Sequence, residues 1–290
     1  MDASFVLFLL DGIVFGLILS LIAAGLTLIY GLAGVLNLAH GELLVICTVT
    51  AAVLLQSINV PLPLALVAGV LVTVASSVFL EKVVLRPVYR LEGEERILLG
   101  LYITLAFSIF LHGALITSFP LAFLTINLPV PSLDFMGLTV RTAQVITGVA
   151  SAAVLVAVYV FLKNSWGGMA IRSLTQNEVG ALIVGVSVKR YRLIVFMLGA
   201  FLVSLAGIIR SVVATVAPES GIEFTILGLL VCVVGGIRSV YGTIVAGLVI
   251  GVVYTFLVVF IGTYLAYVAL LIFIMALLLV RPYGIVGERW

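Results

Sequence analysis

Residues Phe5–Tyr30 read FVLFLLDGIVFGLILSLIAAGLTLIY, and Asp11 is the single charged side chain among them. An α-helix needs about 20 apolar residues to cross the hydrocarbon core of a bilayer. The stretch is longer than that, and it lacks the alternation of apolar and polar residues that is typical of a lipid-facing β-strand. It therefore predicts a transmembrane helix.

The composition of the whole chain indicates that this helix is one of many. Hydrophobic residues make up 64% of the 290 residues and charged residues 9%, against roughly 45–50% and roughly 25% in soluble proteins. This composition excludes a cytosolic enzyme, a disordered chain and a secreted disulfide scaffold. Cys47 and Cys232 lie inside apolar runs, where we expect packed core residues and neither a disulfide nor a metal site. The net charge of +2 argues against nucleic acid as a partner.

Nine stretches are long and apolar enough to be candidate spans, with an uncertainty of one because the first two share a Gly-rich joint and the seventh is short. They are Phe5–Tyr30, Val35–Leu55, Leu62–Leu80, Ile97–Ser118, Ala143–Leu162, Leu193–Val216, Phe224–Ile237, Thr243–Ile261 and Tyr264–Val280. The sequence thus predicts an all-α, polytopic transmembrane helix bundle of about eight to nine spans. Residues 1–290 are expected to form a single transmembrane domain.

Small residues recur at four-residue intervals in the first and eighth spans. They are Gly12, Gly16, Ser20 and Ala24 in one span, and Thr243, Gly247, Gly251 and Thr255 in the other. Small side chains at this spacing let helix backbones approach closely, which favours helix association in lipid. The two sets predict close packing within the subunit, with a subunit interface as the alternative.

The basic residues predict an orientation in the membrane. Eleven of the fourteen Lys and Arg residues lie in the polar segments 82–96, 163–192 and 281–289, whereas the intervening connections carry only Arg141. Basic residues are retained on the cytoplasmic side. We therefore expect a multi-pass protein of the cytoplasmic (inner) membrane with its C-terminus inside. Nine spans place the N-terminus outside; if the first two spans are together one broken element, the N-terminus lies inside.

The chain contains no sequence motif for nucleotide hydrolysis or for a cofactor. Its three lysines, Lys82, Lys163 and Lys189, do not belong to a Gly-rich phosphate-binding loop, and no zinc-protease motif or nucleophile elbow is present in a plausible context. We expect a protein that is not an enzyme and has no cofactor of its own. Any ATP used for pumping would be hydrolysed by another chain.

The polar segment 163–192 predicts a short amphipathic helix on the cytoplasmic side. Its apolar positions follow helical spacing, and Gly185 stands where a C-terminal cap would end the helix. The apolar set is Ile171, Leu174, Val179, Leu182, Ile183 and Val186, and the polar set is Arg172, Ser173, Gln176 and Asn177. Such a helix either lies in the lipid interface or docks into a groove on a soluble partner.

Five stretches carry a family resemblance. They are Tyr30–Glu42 (YGLAGVLNLAHGE), Arg86-Pro87-Val88, Gly168–Ser173 (GMAIRS) with Asn177, Ala181 and Gly185-Val186 after it, Val234–Gly242 (VGGIRSVYG) and Arg281–Gly287 (RPYGIVG). In this order they resemble the permeases of branched-chain amino acid (LIV-type) ABC transporters. The stretch Asn37–Glu42 is the most specific, and it resembles the first of the two permease subunits of such importers.

The resemblance implies a permease subunit of an ABC importer that translocates leucine, isoleucine and valine by alternating access. It implies two cytoplasmic ABC ATPases that bind ATP and magnesium, a second, related permease subunit, and an external substrate-binding protein. The ATPases would act on the segment 163–192, where Arg172, Asn177, Ala181 and Gly185 are the candidate coupling residues. A urea or short-amide permease of the same family, an ion-coupled secondary carrier that uses Asp11 or Glu42, and a structural scaffold are the alternatives.

Asn37, His40 and Glu42 are the candidate residues of the substrate path or gate. An ionisable group at membrane depth costs roughly 2.5–3.5 kcal/mol, so it normally faces a cavity or a partner. In the alternative, Asn37 and His40 cap helix ends and Glu42 lies near the lipid head groups.

Four glycines and two charged or ionisable residues complete the set of candidates. Gly235 and Gly236, like Gly31 and Gly34, indicate either unwound helices around a transport site or close packing. His112 is expected to be a packing histidine on an apolar helix. Arg210 is expected near the outer face, with its guanidinium reaching water.

Overall fold

The computed structural model describes residues 3–119, 124–126, 131–135, 138–281 and 284–285. Eleven α-helices make up most of this part of the chain. They are α1 (Ala3–Ala33), α2 (His40–Gln56), α3 (Leu62–Phe79), α4 (Gly93–Ser118), α5 (Thr142–Asn164), α6 (Trp166–Gln176), α7 (Glu178–Ile183), α8 (Val188–Val213), α9 (Ser220–Gly235), α10 (Val240–Ile261) and α11 (Thr263–Val280). A π-helical turn, Leu80–Val84, continues α3, and a 3₁₀ turn covers Val88–Arg90.

Nine of these helices correspond to the nine candidate spans. Seven are long and apolar enough to cross a membrane: α1, α3 with its π turn, α4, α5, α8, α10 and α11. The other two, α2 and α9, have 17 and 16 residues and are also apolar. The predicted all-α transmembrane bundle is confirmed, and the predicted number of spans agrees approximately.

A short antiparallel hairpin lies in the connection between α4 and α5, where no strands were predicted. Its strands are β1 (Leu133–Phe135) and β2 (Leu138–Val140), with Leu133 opposite Val140. Leu124 from the same connection forms a β-bridge with Val216. These backbone contacts tie the α4–α5 connection to the α8–α9 connection.

The small residues of α1 and α10 face each other. A Cβ atom built on Gly251 would lie 2.2 Å from the Cα atom of Gly16, and one on Gly16 would lie 2.8 Å from the carbonyl oxygen of Gly247. The Ser20 hydroxyl lies within hydrogen-bonding distance of the Gly16 and Ile244 carbonyl oxygens, at 2.8 Å and 3.1 Å. The predicted packing within the subunit is confirmed, and it places α1 at the centre of the bundle.

Charged contacts gather at one end of the bundle, which we call the basic end. It contains the C-terminal end of α1, the N-terminal ends of α4 and α8, and the helices α6 and α7. The Arg192 Nε atom lies 2.9 Å from Glu81 Oε1, and the Arg96 Nη1 atom lies 3.8 Å from Glu178 Oε2. The connections between α4 and α5 and between α8 and α9 lie at the opposite end, where Gln144 also hydrogen-bonds Asp11.

Candidate functional site

The chain between α1 and α2 is not helical, although the second span was predicted to begin at Val35. Helix α1 ends at Ala33 because Gly34 has a φ angle of 63°, a left-handed conformation that glycine adopts without steric cost. Helix α2 begins at His40. Non-helical backbone at membrane depth is tolerated only where protein surrounds it. Residues 34–39 are buried or half-buried and meet this condition.

Contacts with α1 and α8 place the start of α2 deep in the bundle. A Cβ atom on Gly25 of α1 would lie 2.8 Å from His40 Nε2 and 3.0 Å from the carbonyl oxygen of Gly199 in α8. At 1.5 Å per helical residue, Gly199 lies about 16 Å from Val188 and about 21 Å from Val213 along α8. His40 therefore lies near the middle of α8 and far from both of its ends.

The three predicted path residues are all buried, and their polar groups are incompletely paired. Asn37, His40 and Glu42 all have 0% exposure. Asn37 Oδ1 accepts a hydrogen bond from the Ala39 N–H at 3.1 Å. Asn37 Nδ2, both ring nitrogens of His40 and Glu42 Oε2 have no partner among the described residues. Buried polar groups without partners are costly and call for an explanation.

Glycines hold Glu42 and Gly41 against the first turn of α9. A Cβ atom on Gly41 would lie 1.9 Å from the carbonyl oxygen of Gly221, and the Gly41 N–H donates to Thr225 Oγ1 at 2.9 Å. A Cβ atom on Gly221 would lie 2.4 Å from the Glu42 carboxyl group. Gly221 and Thr225 were not among the predicted residues, because nothing in the sequence of α9 indicates that it faces α2.

Gly235 and Gly236 lie at the other end of α9. At 1.5 Å per residue, Gly235 is about 21 Å from Gly221 along the helix axis, so the structure does not bring these glycines to Glu42. A Cβ atom on Gly235 would lie 2.5 Å from the backbone nitrogen of Thr243 in α10. The Ile285 N–H donates to the Val234 carbonyl at 2.7 Å, so two of the quoted motifs meet here.

One face of α4 runs along the non-helical segment 34–39. This contact was not predicted from the sequence. The side chains on this face recur every four residues: Arg96, Gly100, Thr104, Ser108 and His112. Arg96 lies beside Gly34, and a Cβ atom on Gly100 would lie 2.7 Å from Val35 Cγ1. The Thr104 hydroxyl accepts from the Leu38 N–H at 3.2 Å and lies 2.9 Å from the Leu36 carbonyl oxygen.

His112 is not only a packing residue. Its Nδ1 atom lies 3.1 Å from Glu42 Oε1, and its side chain is 23% exposed whereas that of Glu42 is fully buried. The four-residue spacing of small and polar residues in an otherwise apolar span is a signal that could have identified this face of α4.

The segment 163–192 forms two short helices where one was predicted. Asn177 separates them: its backbone is extended, and its Oδ1 atom caps α7 by accepting from the Gly180 N–H at 2.9 Å. Ala181 is buried, and the exposed Arg172 donates through Nη2 to the Lys163 carbonyl at 3.1 Å. Gly185 follows the C-terminal end of α7 and has a φ angle of 86°, in agreement with its predicted capping position.

The break at Asn177 also changes which residues are exposed. Ile171 and Leu174 of α6 pack inward as expected for the apolar side of an amphipathic helix. The apolar residues of α7 and its C-terminal end instead lie at the surface. Together with two exposed residues of α6 they form an apolar surface at the basic end, which we call the α6–α7 surface: Trp166, Met169, Val179, Leu182, Ile183 and Val184.

Tyr89 lies at the centre of the charged contacts at the basic end. The Arg192 guanidinium lies 3.4 Å from the centroid of its ring, and that of Arg96 lies 5.5 Å away. Burial raises the pKa of the Tyr89 hydroxyl, whereas the neighbouring guanidinium of Arg192 opposes this shift. Through Arg96 and Glu178, this cluster joins α4 to α7 of the predicted coupling segment.

Seven of the described helices are long and apolar enough to cross a membrane, and a buried polar break lies between α1 and α2. These features define a multi-pass membrane protein. The family model described as "Branched-chain amino acid transport system / permease component" matches residues 8–280, and the chain therefore belongs to this family. Among the described residues, no group of three or more His, Cys, Asp or Glu side chains is arranged to hold a metal ion.

Relatives match over nearly the whole chain. The high-affinity branched-chain amino acid transport system permease protein BraD of Pseudomonas aeruginosa is 28% identical, over 97% of this chain and 95% of the relative. The permease protein LivH of Escherichia coli K12 is 26% identical, over 99% and 98%. A probable LivH of Methanocaldococcus jannaschii is 28% identical, over 97% and 93%.

Proposed function

We propose that this chain is a permease subunit of the first type in an ABC importer, and that it translocates branched-chain amino acids across the cytoplasmic membrane. The family match and the full-length relatives support this proposal. The observation that carries it is the polar break at Asn37, His40 and Glu42, in the middle of an otherwise apolar bundle. Residues 1–290 act as one transmembrane domain without catalytic activity.

The basic end of the bundle faces the cytoplasm. Lys and Arg residues are retained on that side during insertion, and the segments 82–96 and 163–192 both lie at this end. With nine membrane-crossing helices the N-terminus is outside and the C-terminus is inside. Cysteine substitutions at exposed Met169 and Ile58 test this, because an impermeant maleimide should label only the second from outside intact cells.

The α6–α7 surface is the docking site for a cytoplasmic ATPase subunit. Its six apolar side chains are exposed at the end where the charged residues lie, and an exposed apolar patch of this kind is typical of a protein–protein interface. Asn177, Ala181 and Gly185 give α7 its position, and Arg172, in the middle of α6, holds that helix to the end of α5. Two ATPases bind the ATP and magnesium.

Transport proceeds by alternating access, with a second, related permease subunit completing the path and an external binding protein delivering the substrate. Closure of the ATPases on ATP favours one orientation of the bundle, because a ligand shifts an equilibrium only through its differential affinity for two states. Asn37, His40 and Glu42 line the path. Gly235 and Gly236 belong to the gate and not to the part of the path at Glu42, since they lie at the α9–α10 turn, far from Glu42 along α9.

Reconstitution tests the proposed transport activity. In proteoliposomes that contain the two permeases, the ATPases and the binding protein, we expect ATP-dependent leucine uptake that isoleucine and valine inhibit and that urea and acetamide do not. Inhibition by urea alone would favour the short-amide permease. Uptake by this chain alone, driven by an ion gradient without ATP, would contradict the proposal and favour a secondary carrier.

Substitutions in the coupling segment test the docking site. Ala181→Arg places a charge at a buried position of α7, and Gly185→Val forces a β-branched residue into a left-handed conformation. We expect both variants to insert normally while ATP hydrolysis is uncoupled from uptake. Gly185→Asn is the matched control, because asparagine tolerates this conformation. Normal ATP-dependent uptake in both variants would remove the docking assignment.

A further inference from the structure

One oxygen of the Glu42 carboxylate is bound and the other is free. Glu42 Oε1 lies 3.1 Å from His112 Nδ1, whereas Oε2 is buried and has no partner among the residues that the structure describes. When Glu42 is ionised its carboxylate only accepts hydrogen bonds, and in that state His112 donates through Nδ1–H to Oε1. The contact fixes the orientation of the carboxylate and leaves Oε2 as a hydrogen-bond acceptor near the middle of the bundle.

The free oxygen matches one polar group of an amino acid. An amino acid carries an ammonium group, which needs an acceptor, and Glu42 Oε2 is a buried acceptor without a partner in the described part of the chain. His40 does not share this position, since its ring lies against Gly25 of α1, whereas Glu42 lies against Gly221 of α9 and His112 of α4.

The position of His112 relative to Glu42 is set by contacts along α4. Arg96 lies beside Gly34, Gly100 packs on Val35, and Thr104 hydrogen-bonds the backbone of the non-helical segment. These contacts keep α4 in register with the segment that leads to Glu42. His112 therefore reaches Oε1 from a helix whose position depends on the same segment.

We propose that His112 is a positioning residue, which holds Glu42 Oε1 so that Oε2 binds the ammonium group of the transported amino acid. This inference rests on the proposed amino-acid transport, and it names the chemical group that the buried polar segment recognises. His112 acts through Glu42 and does not itself bind the substrate.

A ligand pair that differs in one group tests the inference. The complete transporter in nanodiscs, without nucleotide or binding protein, is titrated with radiolabelled leucine and with 4-methyl-2-oxopentanoate, which keeps the carboxylate and the side chain but has no ammonium group. The wild type should prefer leucine. In Glu42→Gln we expect leucine affinity to fall on the order of tenfold or more, because a hydrogen bond between charged groups is lost, while affinity for the oxo acid is unchanged.

The His112 variants separate positioning from packing. His112→Ala should lower the preference for leucine about fivefold, less than Glu42→Gln does, because Glu42 keeps its charge and loses only its orientation. His112→Asn should restore the preference, since its amide donor can reach the same oxygen. Tyr102→Phe, at an exposed position of the same helix, is the matched control and should change neither affinity. Size-exclusion profiles establish that each variant assembles.

Two outcomes would overturn the inference. Equal losses of leucine and oxo-acid affinity in His112→Ala would show that His112 only packs the bundle. An unchanged preference for leucine in Glu42→Gln would show that Oε2 does not meet the ammonium group. Either result leaves amino-acid transport intact, whereas a wild-type complex that takes up urea and binds no leucine would contradict the proposed function itself.

Discussion

Glycines bring helices together at two places in this bundle, with different results for the polar side chains nearby. Where α1 meets α10, Gly16 and Gly251 approach closely, and the hydroxyl groups are paired: Ser20 with backbone carbonyls, and Thr27 with Thr243 at 2.9 Å. Where α2 meets α9, Gly41 and Gly221 approach just as closely, yet Glu42 Oε2 beside them has no partner in the described residues.

The difference distinguishes a contact whose hydroxyl groups are paired from one where a carboxylate oxygen is not. Close backbone approach replaces the hydrophobic drive that is missing between helices in lipid, and it serves both interfaces. Paired hydroxyls make the α1–α10 contact stable in a single arrangement. Unpaired groups at the α2–α9 contact lower stability, and such groups are kept where another state or a ligand completes their hydrogen bonds.

The largest loss of stability is expected from a substitution that breaks the α1–α10 contact. In Gly251→Leu the new side chain would start 2.2 Å from the Cα atom and 2.3 Å from the backbone nitrogen of Gly16. Backbone atoms cannot move aside, so we expect a loss of at least about 3 kcal/mol, at the upper end of the overpacking range. Thermal unfolding in detergent should show a large shift or no folded protein.

Gly113→Leu is the matched control for this variant. Gly113 also lies inside a helix, α4, but a Cβ atom there meets no described atom within 4 Å. Folded Gly251→Leu protein with the melting temperature of this control would show that the α1–α10 contact is not essential to the bundle.

The next experiment compares two alanines at the α2–α9 contact. In Gly41→Ala the new Cβ atom would meet the Gly221 carbonyl oxygen at 1.9 Å, whereas in Gly221→Ala it would meet the end of the Glu42 side chain at 2.4 Å. A side-chain end can shift and a backbone carbonyl cannot. We expect Gly41→Ala to lose about 1–3 kcal/mol of stability together with transport.

Gly221→Ala should instead separate stability from transport. It displaces the Glu42 carboxylate, so uptake in the reconstituted complex should fall on the order of tenfold, as for a loss of about 1.4 kcal/mol, while thermal stability changes by less than about 1 kcal/mol. Unchanged uptake in a well-folded Gly221→Ala variant would argue against a role for Glu42 in the substrate path.

The sequence was sufficient for features that depend on neighbours along the chain. Apolar length predicted the helices, and four-residue spacing of small residues predicted that α1 and α10 pack closely within the subunit, although not that they pack against each other. The start of α2 was placed five residues too early, at Val35 instead of His40, because residues 35–39 are almost as apolar as a helix interior and only Gly34 indicates the break.

Contacts between distant segments were not predictable in this way. Glu42 and His112 are 70 positions apart, and no periodicity within either segment specifies the other. Likewise, nothing in α9 indicates that Gly221 faces Gly41. Helix α7 starts anew at Asn177, whose Oδ1 atom accepts a hydrogen bond from the Gly180 N–H, and a regular helical pattern continued across Asn177 exposes and buries the wrong positions.

Thr104 allows a smaller test of the same comparison. Thr104→Val keeps the shape of the side chain but leaves the Leu38 N–H without the acceptor it has at 3.2 Å. Leu38 is half-buried, so leaving its N–H unpaired should cost about 1–3 kcal/mol, whereas Ser20→Ala at the α1–α10 contact removes a donor and costs about 0.5–1.5 kcal/mol. Thermal unfolding of both variants measures whether Thr104→Val loses more stability than Ser20→Ala. A smaller loss in Thr104→Val would mean that the non-helical segment does not depend on α4.

The smallest effect is expected at the basic end, where α4 meets α7. The Arg96–Glu178 ion pair spans 3.8 Å, and the Glu178 side chain is 46% exposed, so water and salt screen it. Glu178→Gln should change stability by less than about 1 kcal/mol. Because this pair is the charged link between the coupling segment and the helix that carries Thr104 and His112, we expect a larger effect on uptake than on stability. If Glu178→Gln takes up as much substrate per ATP hydrolysed as the wild type at both low and high salt, the proposed coupling movement does not depend on this ion pair.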